Sequence, residues 1–304
     1  MKNKLAIIIV NYNGTKDTID CVNSINSNCT IKNLEIIIVD NASNSENRTL
    51  LIEKLSNNKI ILNEENSGFA IANNIGIKYA MDNNYENILL LNNDTLITKN
   101  SLESMLTILE SHEELGAVSC SILYNTERNK IWFDGGYINW NRYISIHENE
   151  GKIYCKSKEI RNVEFISGCC LMIKRCVISS IGYLPKEYFM YFEDTDFCVK
   201  ILEAGYKMAV DRSAVIYHKV SASSGGEESV FSIEWGTRNR IIFMKKFKYK
   251  SGNSFNYFKS KIFFYGTRLI KGVNYLFKGD FDKNKALIRG VLNGIKYNKE
   301  NENK

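Results

Sequence analysis

Short runs of consecutive apolar residues recur along the first 120 positions of the chain. Their length is that of a strand, and the absence of a regular polar alternation indicates strands that are buried on both faces. The five runs are LAIIIV (5–10), LEIIIVD (34–40), KIILN (59–63), ENILLLN (86–92) and GAVSC (116–120). These runs predict the strands of one central sheet.

Segments in which apolar residues have helical spacing separate these runs. They include residues 15–27, 68–81 and 101–110, and Ser67 and Asn100 stand at N-cap positions before the last two. Strands that alternate with helices are typical of a parallel, doubly wound sheet. We therefore predict an α/β fold with a Rossmann-like, mostly parallel sheet.

The alternation stops near residue 131. Mixed aromatic segments between residues 131 and 173 predict antiparallel strands that are added to the parallel sheet. A helix is predicted to begin at Glu193, with Gly205 as its C-terminal stop, because apolar residues then share one helical face. The strands KMAVD (207–211) and AVIYH (214–218) are predicted to follow.

Polar side chains follow four of the predicted strands directly. They are Asn11 and Tyr12, Asp40 and Asn41, Glu65 and Asn66, and Asn92, Asn93 and Asp94. Ligands of doubly wound sheets bind beyond the carboxyl ends of the strands, although Asn and Asp at such places also form ordinary turns. Four polar strand ends in succession favour a binding site at this edge.

The usual phosphate-binding loops are absent from the sequence. The first strand is followed by NYNG (11–14) in place of GxGxxG, and no GxxxxGK[ST] occurs. The charge of a bound diphosphate would therefore need another partner, and a divalent cation is the obvious one. Asp94 is a candidate ligand for Mg²⁺ or Mn²⁺, although a turn or helix N-terminal role is an equal alternative for this residue alone.

Composition and charge narrow the class of protein. With 44% apolar and 12% aromatic residues, the chain can bury a sizeable core, and its apolar runs are too short for a membrane span. Neither a secretory signal nor a CxxC pair is evident, so we expect a cytoplasmic protein with reduced thiols. Residues 238–304 carry 17 basic and 4 acidic side chains, whereas the rest carries 23 basic and 30 acidic ones.

The basic part contains a helical pattern between residues 254 and 278. The apolar positions of this pattern are Phe258, Ile262, Tyr265, Leu269, Val273 and Leu276, with lysine and arginine around them. Such a helix can lie on an anionic membrane surface, or its apolar stripe can dock on the rest of the protein while the lysines face water. Nucleic acid ranks lowest as a partner, because no nucleic-acid-binding motif accompanies the charge.

Seven motifs together resemble one family, the family 2 nucleotide-sugar glycosyltransferases of the GT-A fold, and bacterial rhamnosyltransferase-like enzymes in particular. The motifs are VDNAS (39–43), ENSGFAIANNIGI (65–77), LLLNNDT (89–95), FISGCCLMIKR (165–175), FMYFEDTDFCVKILEAGY (189–206), VIYHK (215–219) and RNRIIFMKK (238–246). The resemblance implies a GT-A catalytic domain over residues 1–237 and a basic, amphipathic helical extension over residues 238–304.

The resemblance also implies a set of site residues. Nucleotide-binding positions are implied for Asn11, Tyr12, Asp40, Asn66, Asn73, Asn74, Asn92 and Asn93. Asp94 matches the last carboxylate of the family's DxD metal motif, in which Asn92 replaces the first Asp, and His218 matches a histidine that joins it at the cation. Arg238 and Arg240 match basic residues near the phosphates, although solvent-facing or membrane-facing roles are equal alternatives for both.

Glu193, Asp194 and Asp196 place three carboxylates within four positions of an aromatic stretch. Transfer of a sugar to a hydroxyl with inversion needs a base that takes the hydroxyl proton. The resemblance implies that Asp194 is this base and that Glu193 and Gly168 bind the acceptor. Asp196 is expected to cap the helix, because carboxylates in the first turn complement its dipole. The alternative is that all three carboxylates are merely acids in the first turn of a helix.

The resemblance implies an inverting, metal-dependent glycosyltransferase that moves a sugar from a UDP- or dTDP-sugar to a glycan hydroxyl in surface polysaccharide synthesis. A lipid-linked saccharide is the expected acceptor, which would place the protein peripherally on the inner face of the plasma membrane. Two alternatives are a sugar-1-phosphate nucleotidyltransferase and a catalytically inactive, membrane-tethered scaffold of the same fold.

Overall fold

A computed structural model describes residues 4–220 and 228–301. The strands are β1 Leu5–Asn11, β2 Leu34–Asp40, β3 Lys59–Leu62, β4 Asn87–Asn92, β5 Thr95–Ile97, β6 Leu115–Tyr124, β7 Ile131–Phe133, β8 Gly136–Asn139, β9 Ile144–His147, β10 Ile160–Val163, β11 Cys170–Lys174 and β12 Lys207–His218. The helices are α1 Thr15–Asn28, α2 Ser45–Leu55, α3 Gly68–Asp82, α4 Ser101–Ser111, α5 Arg175–Ile181, α6 Glu193–Glu203, α7 Val230–Lys246, α8 Ser254–Phe277 and α9 Phe281–Glu300.

One mixed sheet dominates the fold, with strand order β10-β12-β6-β11-β4-β1-β2-β3, while β5 pairs with β12 and β7 pairs with β6. Strands β4, β1, β2 and β3 are mutually parallel, and β12 is parallel to β6. The apolar runs that predicted β1, β2 and β4 are buried almost throughout, as expected for strands covered on both faces. The predicted α/β fold is confirmed.

Antiparallel strands come from the segment between residues 131 and 173, as predicted. β11 pairs antiparallel with both β4 and β6, and β10 pairs antiparallel with β12. Because β11 runs against β4, its first residue Cys170 lies opposite Leu91 at the carboxyl end of β4. The turn that precedes β11 therefore lies at the same edge of the sheet as the polar ends of the parallel strands.

Two predictions about local structure need correction. The two strands predicted over residues 207–218 form a single strand, β12, whose pairing is irregular between Asp211 and Val215. At this irregularity Asp211 Oδ1 accepts hydrogen bonds from the backbone N–H and the hydroxyl of Ser213, at 2.8 and 2.7 Å, which accommodates the extra residues without ending the strand.

The predicted N-caps were right in position and wrong in mechanism. Ser67 and Asn100 precede α3 and α4, but neither side chain makes a capping hydrogen bond in the described part of the chain. The N–H of Gly68 instead donates to Asn66 Oδ1 at 3.0 Å, and the N–H of Phe69 donates to the carbonyl of Phe189 at 2.7 Å. These bonds satisfy N–H groups that the first turn of a helix leaves free.

The described residues fold into two compact units. The first is drawn from Met1–Tyr137, His147–Phe189 and Glu193–Ser223, and contains the large sheet. The second is drawn from Ile138–Ile146, Met190–Phe192 and Ser224–Lys304. Within the second unit α9 packs on α7, and a Cβ at Gly290 would come within 2.5 Å of the carbonyl oxygen of Glu234. In neither described range is any helix both long and apolar enough to cross a membrane.

Candidate active site

Asp94 and His218 form the most distinctive polar pair at the ligand-binding edge of the sheet. Asp94 lies in the turn between β4 and β5, and His218 is the last residue of β12. Strands β5 and β12 pair, with His218 opposite Thr95, so His218 lies next to this turn. Both side chains are buried, and Asp94 Oδ1 lies 3.1 Å from His218 Nε2. Neither Asp94 Oδ1 nor His218 Nδ1 has a hydrogen-bond partner among the described residues.

These two side chains fit a divalent cation. A buried carboxylate oxygen without a hydrogen bond is costly unless a cation or another donor occupies the space beside it. An imidazole nitrogen and a carboxylate oxygen are both ligands that Mn²⁺ accepts, and the carboxylate also suits Mg²⁺. Within residues 4–220 and 228–301 no group of three or more His, Cys, Asp or Glu side chains could hold a metal. The remaining ligands would have to come from a bound diphosphate or from water.

A group of aromatic rings lies beside His218 and extends toward the carboxylates of α6. The Trp132 ring is 4.4 Å from the His218 ring and 5.0 Å from the His147 ring, edge to face in both cases. The His147 ring stacks on Phe165 at 5.8 Å and is close enough to Asp194 to favour its ionised form. Trp132 and His147 were not among the predicted site residues, because only the antiparallel additions bring them to this edge.

Asp194 is held by backbone N–H groups in the first turn of α6. Its Oδ2 accepts a hydrogen bond from Gly168 at 3.0 Å, and its Oδ1 accepts one from Thr195 at 2.7 Å. Burial raises the pKa of Asp194, whereas these two N–H groups and the nearby His147 oppose the rise. The carboxylate is therefore fixed in orientation and is a stronger base than an ordinary aspartate.

Glu193 has a different environment from its neighbour. Its side chain is buried, and its Oε2 has no hydrogen-bond partner within the described chain. Burial, and after it the charge of Asp194, raises the pKa of Glu193 well above its usual range. Glu193 is accordingly the member of the pair that keeps a proton, and it can donate a hydrogen bond to a ligand oxygen. Asp196 lies deeper and accepts a hydrogen bond from the Tyr188 hydroxyl at 3.0 Å.

Backbone strain accompanies the start of α6. Tyr191 and Phe192, which directly precede Glu193, have φ angles of 73° and 75°. Left-handed backbone is costly for side chains other than glycine, and two such residues in succession need support from their surroundings. Asn239 provides it inside the second unit, because its fully buried side-chain amide donates to the carbonyls of Met190 and Tyr191 at 2.8 and 3.0 Å.

The turn before β11 lies next to both the predicted base, Asp194, and the segment that carries the predicted metal ligand, Asp94. Gly168 donates to Asp194, and the next residue, Cys169, accepts a hydrogen bond from the backbone N–H of Asn92 at 2.9 Å. Burial raises the pKa of Cys169, and the charges of Asp94 and Asp194 both add to this rise. The hydrogen bonds of Gly168 to Asp194 and of Asn92 to Cys169 place both carboxylates by this turn, at one site. A Cβ at Gly168 would lie 3.2 Å from the Phe69 ring, so the turn has little spare room.

At the other end of the edge, Asn11 and Asp40 form a buried network. Asn11 donates to Asp40 Oδ1 at 2.9 Å and to the Ser43 hydroxyl at 3.1 Å. The second oxygen of Asp40 forms an ion pair with Arg48 Nε at 2.7 Å. The side chains of Asn11 and Asp40 are fully buried, whereas the neighbouring Tyr12 is 44% exposed. Arg48 was not a predicted site residue, since a lone arginine on a helix gives no sequence signal.

The remaining asparagines of the predicted nucleotide site make internal hydrogen bonds. Asn66 accepts a hydrogen bond from Asn41 at 2.8 Å, and Asn73 donates to a carbonyl in the first turn of its own helix. Asn74 bonds both the N–H and the carbonyl of Leu184, at 3.0 and 2.8 Å. These side chains fix α3 and the loop that follows β2. Their assignment to a nucleotide stays a prediction.

Asn92 and Asn93 occupy the turn that holds Asp94. Asn93 Nδ2 donates to the carbonyl of Gly14 at 3.2 Å and to the Thr18 hydroxyl at 3.1 Å, which ties the turn to the start of α1. A Cβ at Gly14 would come within 2.7 Å of the same amide nitrogen, so this position favours glycine. Asn92, which replaces the first Asp of the expected motif, is partly exposed and carries no second carboxylate to the site.

Arg238 and Arg240 both belong to the second unit. Arg238 donates to Asn239 Oδ1 at 2.6 Å, and its guanidinium lies 5.1 Å from the ring centroid of Trp235. Arg240 is buried and its Nε donates to the carbonyl of Arg142 at 2.9 Å. Burial, with the charges of other arginines nearby, lowers the pKa of Arg240 to about 9. A role for either residue at the phosphates stays a prediction.

Two relatives of known name are similar to this chain over most of its length. The chain is 27% identical to the low-salt glycan biosynthesis hexosyltransferase Agl10 of Haloferax volcanii, over 97% of this chain and 92% of that protein. It is 23% identical to the dTDP-rhamnosyl transferase RfbF of Shigella flexneri, over 74% of this chain and 72% of that protein.

A structural comparison supports the same assignment. The crystal structure of GalNAc-T7 with UDP, GalNAc and Mn²⁺ superposes with a TM-score of 0.61 at 18% identity, over 78% of this chain and 47% of that one. The present chain thus spans about half of that glycosyltransferase, and the likeness shows the GT-A fold. The sequence model of glycosyl transferase family 2 matches residues 6–182, more than half of the chain. The protein belongs to glycosyl transferase family 2, and it is a glycosyltransferase with the GT-A fold.

Proposed function

We propose that the protein transfers a sugar, with inversion, from a UDP- or dTDP-sugar to a hydroxyl of a lipid-linked glycan. The observation that carries this proposal is that Asp94 and Asp194 both lie by the Gly168–Cys169 turn, since Gly168 donates to Asp194 and Cys169 accepts from Asn92, two residues before Asp94. One carboxylate has an unbonded buried oxygen beside an imidazole, and the other is oriented by two N–H groups. Such an arrangement suits a cation-bound diphosphate and an attacking hydroxyl in one site.

Asp94 and His218 would hold Mg²⁺ or Mn²⁺, which supplies Lewis-acid stabilisation of the charge that develops on the departing diphosphate. Asp194 would accept the proton of the acceptor hydroxyl as that oxygen attacks the anomeric carbon. Its raised pKa makes it a better base than an ordinary aspartate. The same negative charge would stabilise the positive charge that develops on the sugar ring in the transition state.

Glu193 and Gly168 are proposed to position the acceptor. A protonated Glu193 would donate a hydrogen bond to a sugar hydroxyl, and the buried Gly168 would act through its N–H, which orients Asp194 toward the acceptor. Asn11, Tyr12 and Asp40 would border the base and ribose, since they lie at the ends of the first two parallel strands. The exposed ring of Tyr12 is the member of this group that is free to stack on a base.

The choice of donor is supported by relatives alone. The name of RfbF specifies a dTDP-rhamnosyl donor, and the GalNAc-T7 crystal structure contains UDP and Mn²⁺. Agl10 is named for glycan biosynthesis, which supports a glycan acceptor. The alternative of a sugar-1-phosphate nucleotidyltransferase has no comparable support, because the family match is to glycosyl transfer.

A panel of nucleotide sugars tests the proposal directly. The purified protein should release nucleoside diphosphate from a UDP- or dTDP-sugar when Mn²⁺ or Mg²⁺ is present, and should stop when the cation is chelated. Asp194→Asn should lower the rate by about 10²- to 10⁴-fold, the usual contribution of a general base. Calorimetric titration should show that this variant still binds the donor.

Three outcomes would contradict the proposal. If neither UDP- nor dTDP-sugars bind or react, the donor class is wrong. If Asp194→Asn turns over at the rate of the unaltered protein, the base is another residue. A protein that binds donors but shows equal, negligible turnover with and without Asp194 would instead be the inactive scaffold.

A further inference from the structure

The exposed face of α8 is more apolar than that of an ordinary surface helix. Its buried positions include Ser260 and Gly272 beside Phe264 and Tyr275. Its exposed positions are instead mostly large and apolar, between 41% and 87% exposed: Phe255, Phe258, Ile262, Phe263, Leu269, Ile270, Val273, Leu276 and Phe277. We call these nine side chains the α8 stripe. Each lies three, four or seven residues from another member of the stripe, so the nine side chains share one side of the helix.

The exposure of the α8 stripe decides between two alternatives raised by the sequence. If the stripe docked on the rest of the protein, its side chains would be buried and the polar positions would face water. Leu269 and Ile270 are 71% and 64% exposed, and Ile262 is 58% exposed. Soluble monomers seldom expose contiguous apolar patches of more than a few hundred Å², and larger ones usually mark a binding surface.

Cationic side chains accompany the α8 stripe, and α8 contains no Asp or Glu. The ammonium groups of Lys259 and Lys261 lie over the rings of Phe255 and Tyr257, at 4.3 and 5.8 Å from the ring centroids. Lys278, which follows the last residue of α8, is exposed. Long lysine stems can lie along apolar surface while the charged ends stay in water, so these side chains suit an interface between apolar and polar layers.

The next helix, α9, repeats this pattern on a smaller scale. Phe281, Ile288 and Leu292 are 60%, 50% and 61% exposed and are spaced seven and four residues apart, which places them on one side of α9. The exposed Lys285 and Lys296 lie beside this row. Two consecutive helices of the second unit thus each present an apolar row with lysines next to it.

We propose that the exposed sides of α8 and α9 bind the surface of an anionic lipid bilayer, with the apolar rows at the level of the acyl-chain boundary. Apolar and aromatic side chains combined with lysines, in a chain segment of strongly positive charge, are complementary to anionic headgroups over hydrocarbon. A second copy of this chain would bring like charges together instead. Because lipid binding requires neither donor nor acceptor, this inference goes beyond the proposed function.

Vesicle flotation with the full-length protein tests the proposal. The unaltered chain should float with vesicles of phosphatidylcholine and phosphatidylglycerol, and much less with phosphatidylcholine alone. Added salt should weaken the binding, because the contribution of the lysines is screened. The triple variant Phe258→Gln, Ile262→Gln and Leu269→Gln keeps the charge and should lower the partition coefficient by about tenfold or more, since such binding scales with buried apolar area.

Two control variants separate the contribution of the apolar rows to vesicle binding from that of the lysines. Ile52→Gln removes a comparably exposed apolar side chain from α2 in the first unit, 45% exposed, and should bind vesicles like the unaltered protein. Lys259→Gln with Lys261→Gln keeps the apolar row and should lower affinity for anionic vesicles by about fivefold per lysine, without changing the weak binding to neutral vesicles. Circular dichroism of each variant should show unchanged helix content.

Several results would overturn the proposal. One is an unaltered protein that fails to float with anionic vesicles, and another is a triple variant that binds as well as the unaltered chain. A third is a dimer, detected by sedimentation without vesicles, that the triple variant dissociates, because the α8 stripe would then be an interface between copies of the chain. Asp194→Asn, which disables the proposed base, should float normally, so failure of the catalytic proposal and failure of this one are distinguishable.

Discussion

At the scale of single residues, neighbouring carboxylates in this site are made different by their surroundings. Glu193 is buried with an unbonded oxygen, whereas Asp194 receives two backbone N–H groups. Hydrogen bonds from N–H groups favour the charged form, and burial without them favours the neutral form. The charge of the pair is therefore concentrated on Asp194, and the proton is concentrated on Glu193.

Because Glu193 keeps the proton, two substitutions of this residue should have different effects on transfer activity. Glu193→Gln retains a hydrogen-bond donor of the same shape and should keep most of the transfer activity. Glu193→Ala removes the donor and should lower kcat/KM for the acceptor by about tenfold, the effect of losing one hydrogen bond of ~1.4 kcal/mol. Steady-state kinetics at varied acceptor concentration would measure both. Equal losses in the two variants would mean that Glu193 acts in its ionised form.

Substitution of Asp94 should lower the affinity of the protein for a divalent cation, and this affinity can be measured without turnover. Asp94→Asn should weaken Mn²⁺ binding in the presence of UDP by at least about 10- to 100-fold, since even indirect partners of a metal ligand have effects of that size. Electron paramagnetic resonance of Mn²⁺ gives the affinity directly. The matched control is Asp17→Asn, because Asp17 pairs with Lys219 at 2.5 Å near the same edge and is not a proposed ligand. Equal affinities for Asp94→Asn and the unaltered protein would remove Asp94 from the metal site.

At the scale of secondary structure, close helix contacts in the second unit depend on two glycines of α9. A Cβ at Gly290 would lie 2.5 Å from Glu234 O, and a Cβ at Gly294 would lie 2.9 Å from Arg238 O. Both contacts are with backbone atoms of α7, which cannot rotate away as a long side chain can. The absence of side chains at these positions therefore sets how closely α9 approaches α7.

Substitution of these glycines should distinguish packing from helix propensity. Gly290→Ala should lower the free energy of unfolding by about 1–3 kcal/mol, the usual effect of overpacking. Gly266→Ala, at an exposed position of α8 where no described atom lies within 4 Å of a new Cβ, should raise it by about 0.5–1 kcal/mol. Urea denaturation followed by circular dichroism would measure both. A stabilising effect at both positions would show that α7 and α9 do not pack as closely as described.

The sequence predicts some elements well because the signals that define them, apolar runs and helical periodicity, lie within the element itself. The apolar runs of β1, β2 and β4 are diagnostic since each strand is buried on both sides, and the start of α6 at Glu193 follows from periodicity and was confirmed. Trp132 and His147 escaped prediction because the site was predicted from the ends of the parallel strands, whereas β7 pairs with β6 and β9 pairs with β8 outside that set. The sequence left open whether the stripe of α8 is exposed or docked, since periodicity defines a stripe without saying what the stripe contacts.

At the scale of the whole molecule, the raised pKa values of Glu193 and Asp194 couple stability to pH. A carboxyl whose pKa is raised in the folded state binds its proton more tightly there than in the unfolded chain. Its contribution to stability is therefore lost as pH rises from the ordinary value through the raised one. For Glu193 this window opens near the pKa of an ordinary glutamate, ~4.3, and extends upward to its raised pKa.

The unaltered protein should thus become easier to unfold as pH rises across this window. Glu193→Gln should show a shallower decline, because the glutamine needs no proton to remain buried. Urea midpoints measured over a pH series would give both slopes. Glu53→Gln, at an exposed position on α2, is the control and should reproduce the slope of the unaltered protein. Parallel slopes for Glu193→Gln and the unaltered chain would contradict a raised pKa at Glu193.

The register of β11 against β4 fixes the positions of Gly168 and Cys169 in the proposed site. Gly168 and Cys169 reach Asp194 and Asn92 only because Cys170 lies opposite Leu91. Each residue of a strand advances the chain by about 3.3 Å. Deleting or inserting a single residue in β11 would therefore shift the separation between the proposed base and the proposed metal ligand by a distance longer than a hydrogen bond. Changes of chain length between residues 165 and 175 should consequently abolish catalysis even where the sheet still forms.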